Sequence, residues 1–440
     1  MSGTTARPRD APTHTQGASH TPTPYTETLT RPRPANRSAT AHTSTGVPTM
    51  SALAPILCIN SGSSSLKFAL YAVDDTREDL LARGAVENIG GPDSHSWLQM
   101  GTRVTHTPTS TMSDQRAAIG ALFELLAAHH IGVPRAVGHR LVSGGPRHVR
   151  HARIDALFLR DLRGAVHFAP LHLPTEIDVI EAVGHHYPRL PQVACMDTAF
   201  HAALPEIAAR LALPRDLWDQ GVRKYGFHGL SYEYIMSVLA PAARHGRAII
   251  AHLGNGASMV AVADGRPIDT TMGLTPAGGF MMGTRSGDLD PGVLLYLLAK
   301  NTYDYRALED LVNHRSGLRG VSGSTADMQR LLHERTTDPH AAQAVDMFCY
   351  QACKAAGALA AAMNGVDTLI FTGGIGEHAA PVRHAIAQGL GHLGVVLDND
   401  ANIRNADTVS APGSPVTVRV IPTHEDLMIA RHSHRLLDPL

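Results

Sequence analysis

Asn60, Ser61, Gly62, Ser63, Ser64 and Ser65 form six consecutive residues too small or too polar to build a core, and they stand directly after the strand-forming run ILCI. In NSGSSSLK, residues 60–67, the turn leaves backbone N–H groups uncovered and adds hydroxyl donors, which suits a ligand bringing several negative oxygens. Lys67 adds a point charge beside it. The run is not a Walker A element: no GK[ST] triplet follows Gly62 at the required distance, and the next segment reads as a strand. IIAHLGNGASMVAVAD, residues 249–264, repeats the form of apolar strand, tight small-polar turn and apolar strand, setting Gly62 opposite Gly256 and Ser64 opposite Ser258. Either segment alone reads equally as an ordinary hairpin turn. Two of them, one in each half of the chain, imply a duplicated domain whose turns face each other across a cleft. A third turn, FTGGIGEH at 371–378, lets a nucleotide approach the backbone and offers it a helix N-terminus. The three together point to a nucleotide in the cleft.

Two arginines and an acid suggest what happens to that nucleotide. Arg285 lies in MMGTRSGDLDPG, residues 281–292, where Asp290-Pro291 reads as an N-cap followed by the first helical residue. An arginine anchored there can reach into a cleft; the alternative is a surface salt bridge to Asp288. Arg140, in GHRLVSGG, follows an apolar strand and precedes another glycine-rich turn. Asp197, in VACMDTAFH, ends a third buried strand, either facing the cleft or capping a helix that starts near Thr198.

Alternating elements must hold these residues. Short apolar runs at 136–141, 192–196, 248–253 and 368–371 read as buried strands, and residues 117–129, 291–300, 341–363, 380–390 and 427–437 as helices. The expected class is α/β, with the chemistry at the carboxyl ends of strands. A length of 440 residues suggests two domains. Lys plus Arg number 38 against 39 Asp plus Glu, so no bulk field draws the chain to nucleic acid or an anionic membrane. Cys58, Cys195, Cys349 and Cys353 lack metal-type spacing and read as buried thiols of a reducing compartment. No apolar run approaches a bilayer span, so a soluble, cytoplasmic protein is expected. Residues 1–50, rich in Thr, Pro, Ala and Arg, read as a disordered extension; their prolines argue against a transit peptide. The 27 histidines show no HExxH-type spacing, which speaks against zinc.

From about residue 55 to 440 the sequence resembles the acetate kinase family, of the acetate and sugar kinase, Hsp70 and actin superfamily. The resemblance rests on NSGSSSLK, GHRLVSGG, APLH (169–172), CMDTAFH (195–201), RKYGFHG (223–229), HLGNG (252–256), GLTPAGGFMMGTRSGDLDPG (273–292), FTGGIGE and PTHED (422–426), all in order. It implies two similar lobes of the actin-like, ribonuclease H-like ATPase fold around an interlobe cleft, with residues 51–198 plus 426–440 in one lobe and 199–425 in the other. It also implies a homodimer and reversible transfer of the ATP γ-phosphoryl group to acetate, giving acetyl phosphate and ADP with Mg²⁺ or Mn²⁺. By motif position, Asp197, His228 and Arg285 would be catalytic, and Arg140 would hold the acetate carboxylate. Val142, Leu171, Phe227 and Pro276 would line the methyl pocket, and Asn60 and Glu425 would lie at the metal. Nucleotide contacts would come from Lys67, from His252, Leu253, Gly254, Asn255 and Gly256, from Asp327, Met328 and Gln329, and from Gly374, Ile375, Gly376, Glu377 and His378.

The residue types suit that chemistry. Joining a phosphate to a carboxylate brings two anions together, so fixed cations in a water-poor cleft lower the barrier. His228 would donate a hydrogen bond to the moving phosphoryl group, unless it is simply packed in the core with Tyr225 and Phe227. Acetate is already ionised at neutral pH and has no proton for a base to remove, so Asp197 is expected to orient Arg285 or the waters on the metal. The sequence departs from the family pattern at Leu173, Ser143, Gln329 and His378. The first two bear on acyl-chain preference, making propionate a competitor; the last two bear on the nucleotide. A hydroxyl-acceptor sugar kinase and a non-catalytic nucleotide switch are the remaining alternatives.

Overall fold

Strand β1 (Ile56–Ser61) shows how the core is built. Leu57 and Ile59 turn into one apolar layer while Ile56 and Cys58 turn into another, because successive side chains alternate across a strand and this one is covered on both faces. The computed structural model describes residues 54–62, 64–107, 111–300 and 302–437; the extension expected over 1–50 lies outside them. Strands β2 (Ser65–Val73), β3 (Glu78–Glu87), β4 (His95–Met100), β5 (Arg103–His106), β6 (Ala136–Leu141), β7 (Ala152–Arg153) and β8 (Gln192–Met196) join β1 in a sheet of order β5-β4-β3-β2-β1-β6-β8-β7. A second sheet holds β9 (Arg247–Leu253), β10 (Ala257–Ala263), β11 (Arg266–Thr270), β12 (Thr368–Thr372) and β13 (Thr417–Val420) in the order β11-β10-β9-β12-β13.

The two sheets share a plan. In β3-β2-β1-β6-β8 and in β11-β10-β9-β12-β13, the first three strands are antiparallel and the last two join in parallel. The expected duplication is present, but its residue equivalence moves. The first turn opens at Gly62, whose N–H donates to Ser65 O at 2.7 Å, and the second at Gly254, whose N–H donates to Gly256 O at 3.0 Å. Gly62 therefore matches Gly254 rather than Gly256. Ser258 is not a turn residue but a buried member of β10. Matching like letters misaligned the two by two positions, because the strand pairing, closing at Ser61↔Leu66 and at Leu253↔Ala257, fixes the turn.

Helices cover both sheets. Gln115–Ala128 and Leu173–His186 bury Ala118, Ile119, Leu122, Val179 and Val183 on one face of the first sheet. The last helix, Glu425–Leu437, returns from β13 to the opposite face, seating Met428, Ile429 and Ala430 against Ile56, Cys58 and Val193. Its approach over β6 is so close that a Cβ on Gly138 would collide with Ile429 and Ser433. The long helix Pro339–Ala362, capped by Asp338, packs Phe348, Ala352 and Ala356 on the second sheet, and Gly229–Val238 covers its other face. The remaining expected helices appear as Pro291–Ala299 and Ala380–Gly389, the first with Asp290 accepting from Gly292 N–H as its cap.

Candidate active site

Parallel strands end at the same edge of each sheet and deliver one polar side chain apiece. Asn60, Arg140 and His252 are each the penultimate residue of a strand, half-buried where their neighbours are buried. Asp197 follows directly after β8. Asn60, Arg140 and Asp197 meet at a cavity of about 270 Å³ that Lys67, His228 and Arg285 also line, and His252 stacks on His228 beside it.

Arg140 is the hub. Its Nη2 lies 2.5 Å from Asp197 Oδ2, its Nη1 donates to Asn60 Oδ1 at 3.3 Å, and its Nε is 4.0 Å from Glu425 Oε2. Burial opposes the charge on Arg140, but Asp197, Glu425 and Glu176 outweigh it and raise the guanidinium above its ordinary value. Burial pushes the Asp197 carboxyl up to about 6 against the pull of Arg140, which leaves the pair charged at neutral pH. Two buried atoms of this pair, Asp197 Oδ1 and Arg140 Nε, have no hydrogen-bond partner among the described residues. Buried polar atoms are rarely left so, and these two are available to a ligand. The alternative of a capping role for Asp197 falls, since the short helix Ala199–Ala203 has no side-chain cap. Of its two expected partners, Arg285 or the waters on a metal, Asp197 does not engage the first: its ion pair is with Arg140.

Arg285 stands without an acid. Its Nη1 donates to Pro276 O at 3.2 Å, and it makes no ion pair among the described residues. Asp288 instead accepts from Gly279 N–H at 2.8 Å. Burial first, and then the charge of Arg140, push Arg285 down to about 10. Its loop is tied to the second turn by Gly283 N–H donating to Asn255 O at 2.9 Å.

His228 has left-handed backbone at φ 58°, an uncommon conformation for a residue with a Cβ. The next residue explains it: Gly229 N–H donates to Asp197 O at 2.9 Å, and a Cβ on Gly229 would collide with that carbonyl. The YGFHG turn thus nests on the end of β8. The His228 ring stacks on His252 at 4.3 Å and 22°, and its Nδ1 is 2.7 Å from Ser258 Oγ. Burial, His252 and the two arginines hold His228 well below its ordinary value, so it is neutral. His252 is likewise pushed down to about 4, chiefly by burial.

Val142, Phe227 and Pro276 line the cavity beside Arg140, and so does His172, which sequence reasoning had quoted in APLH without a role. Leu171 does not. Leu171 instead lines a neighbouring apolar cavity of about 370 Å³ with Leu294, Leu298 and Val312, and His172, which lines both, stands between the two. Leu173 and Ser143 are both buried away from the cleft, the latter accepting from Gly145 N–H at 3.1 Å. Behind Val142, the fully buried Glu176 accepts from Val142 N–H with both carboxyl oxygens, at 3.1 and 3.2 Å. Burial, reinforced by Asp197 and opposed by Arg140, raises Glu176 to about 8.

A second cavity, of about 910 Å³, is lined by Gly254, Asn255, Asp327, Met328, Gln329, Gly374, Ile375 and His378. The three-residue turn 254–256 is its common wall with the first, because Gly256 faces the smaller one. Of the residues assigned to the nucleotide, Lys67 and Gly256 line the smaller cavity, and His252 stacks on His228 beside it. Three others line neither. Leu253 and Gly376 are buried, the first because strand alternation turns it into the core. Glu377 folds back to accept from Gly373 N–H at 2.9 Å and Thr423 N–H at 3.2 Å. Sequence reasoning missed Arg383, which is fully buried and donates to Gly376 O, Glu377 O, Asn402 and Asn405, so pinning the GGIGE turn. Its only sequence signal is a lone arginine in a helix whose neighbours Val382 and Ile386 are apolar.

Away from the cleft, His151, Glu233 and His432 place ligand-type atoms close together. Met196 N–H donates to His151 Nδ1 at 3.0 Å, so the proton of neutral His151 sits on Nε2 and points to Glu233 at 3.2 Å. A metal-bound histidine needs that proton on the other nitrogen, so the cluster reads as a proton-filled clamp between the last helix and Gly229–Val238.

A model of the acetokinase family matches residues 55–431. Over 396 residues the chain is 46% identical to a Rhodopseudomonas palustris protein named acetate kinase, covering 87% of this chain and 98% of that one. The crystal structure of Porphyromonas gingivalis acetate kinase matches with a TM-score of 0.78 at 35% identity, covering 88% of this chain and 100% of that one. A propionate kinase from Francisella tularensis matches with a TM-score of 0.82 at 34% identity, covering 86% and 99%.

Proposed function

Because the chain belongs to the acetokinase family, we propose that its cleft catalyses reversible transfer of the γ-phosphoryl group of ATP to the carboxylate of acetate, giving acetyl phosphate and ADP. The two sheets are the two lobes of an actin-like ATPase fold, with boundaries proposed at residues 51–198 plus 426–440 and at 199–425. One observation carries the reading: two arginines converge on a small cavity walled on one side by Val142, Phe227 and Pro276. Arg140 holds the acetate carboxylate with the methyl group against that wall. The adenine nucleotide occupies the larger cavity, and its phosphates pass along the 254–256 turn. Arg285, Lys67 and neutral His228 surround the transferring group, stabilising charge as it redistributes.

A carboxylate oxygen attacks the γ-phosphorus and the bond to the ADP oxygen breaks, with no proton to remove. Asp197 therefore serves as the anchor of Arg140, and a base that must be free to ionise and protonate would not be locked in that pair. This favours an acid acceptor over a sugar hydroxyl. Asp197 Oδ1, Asn60 and Glu425 offer the hard oxygen set suited to Mg²⁺ or Mn²⁺. Such an ion, when bound, neutralises phosphate charge. Propionate is the second reading, favoured by the likeness to the propionate kinase, and here Val142 decides how much room the acyl chain has.

The helix Pro291–Ala299 buries none of its residues and exposes Val293, Leu295, Tyr296 and Leu298. We assign that face to a second copy of the chain. The four cysteines are free thiols, three of them buried, in keeping with a reducing cytoplasm, and none of the described helices is long and apolar enough to cross a membrane. The test is a hydroxamate assay with ATP across formate, acetate, propionate and butyrate. Acetate should give the highest kcat/KM; absence of acyl hydroxamate, with phosphorylation of a polyol instead, would overturn the reading.

A further inference from the structure

We propose that Tyr232 and Ser258 form a buried hydroxyl relay that fixes His228 as the tautomer carrying its proton on Nε2, making both of them positioning residues for phosphoryl transfer. The inference rests on the reading of His228 as a donor to the transferring group and names what makes it a donor.

The relay runs from the hydroxyl of Tyr232, 2.5 Å from Ser258 Oγ, to Ser258 Oγ, 2.7 Å from His228 Nδ1. Tyr232 and Ser258 are wholly buried, and neither hydroxyl has another side-chain or backbone partner among the described residues. Counting protons decides the direction. If Tyr232 donates to Ser258 and Ser258 donates to Nδ1, both hydroxyl protons are used and the ring proton must be on Nε2. If Nδ1–H donates to Ser258 and Ser258 to Tyr232, the buried Tyr232 O–H has no acceptor. If Tyr232 and Nδ1 both donate to Ser258, the Ser258 proton is stranded instead. Buried donors are seldom left unsatisfied, so only the first arrangement closes. A doubly protonated ring is opposed by burial and by the stacked His252.

The other nitrogen then faces the chemistry. A point one Cβ bond from Gly256 lies 3.3 Å from His228 Nε2 and 3.4 Å from Arg285 Nη1, so the two donors converge on the turn that separates the cavities. Tyr232 belongs to Gly229–Val238 and Ser258 to β10. Both are rigid elements, which is what a fixed tautomer requires.

Two measurements test the proposal. In protein labelled with ¹⁵N-histidine, the His228 signals, identified by their loss in H228Q, should show an unprotonated Nδ1 and a protonated Nε2 at neutral pH, and S258A should shift both towards averaged values. In kinetics, S258A should lower kcat on the order of tenfold with little change in KM. Y232F removes a single oxygen and so guards against loss of fold; it should lower kcat less than S258A while shifting the Nδ1 signal. A protonated Nδ1 in the native enzyme, or S258A and Y232F both within twofold of native kcat with unmoved ring signals, would overturn the relay. If H228A retains full activity, the reading of His228 itself fails. If H228A is inactive while the ring signals ignore Ser258, only the relay fails.

Discussion

Arg285→Met should make the protein more stable and nearly inactive. Burial holds the Arg285 guanidinium down at about 10, well below its ordinary value, with no acid among the described residues to balance it. At about 1.4 kcal/mol per tenfold change in proton affinity, keeping that charge in the folded cleft costs roughly 3 kcal/mol. The sign follows from the depressed value: the folded state carries the cost at every pH below about 10, and it fades only as pH rises from there towards the ordinary guanidinium value. Methionine has similar reach and would lie beside Met282, which Arg285 already contacts. It relieves the charge and forfeits the bond to Pro276 O, worth about 1 kcal/mol. The net gain of about 2 kcal/mol corresponds to a midpoint rise of about 2 to 4 °C for a chain of this size. On the proposed role of this unpaired cation at the phosphoryl group, kcat should fall on the order of a thousandfold or more. Thermal unfolding at pH 7.5 without ligands, paired with the hydroxamate assay, reads both effects. A lowered midpoint, or activity within tenfold of native, would refute the reasoning that this arginine is held in place at the expense of stability.

Asp197→Asn removes the charge that holds Arg140 in place, so the KM for acetate should rise in the hydroxamate assay, and an unchanged KM would sink the anchoring role. Val142→Ala enlarges the acyl wall, so the propionate-to-acetate ratio of kcat/KM should rise by about tenfold, the value of one methylene in an apolar pocket; an unmoved ratio would place the acyl chain elsewhere. Glu176 titrates at about 8, so its stabilising contribution is full below the ordinary 4.5 and lost as pH rises through 8. Glu176→Gln should therefore gain stability relative to the native protein as pH goes from 5 to 9, and parallel melting curves across that range would count against a protonated Glu176.

Much of this site is visible in the chain because strand ends carry a local signal. Arg140 and Asp197 each follow an apolar run that has no other reason to stop in a charge, and the three glycine turns stand out against their neighbours. Pairing is another matter. Nothing local says that Asp197 reaches Arg140 across two parallel strands rather than Arg285, since that depends on sheet order. Leu171 and His172 could not be told apart, because which of two adjacent residues faces a cavity is set by the entry angle of the helix behind them. Ser258 was read as part of a turn because letters were aligned without the register. Arg383 and Glu176 carry no motif; each is a buried polar group that acts through a backbone atom elsewhere in the chain, and such partners appear only in three dimensions.

The last helix of the chain has a consequence for how the protein is made. It leaves the second sheet, starts at Glu425 beside Arg140, and closes the far face of the first sheet with Ile429 over Gly138. A chain synthesised only as far as β13 would have both sheets encoded, yet one side of the first would be bare and the cleft would be short of a carboxylate. The first lobe and the cleft are thus complete only once residues 425–437 have been made, and fragments truncated before residue 425 would emerge with exposed apolar strands rather than as partly active kinases.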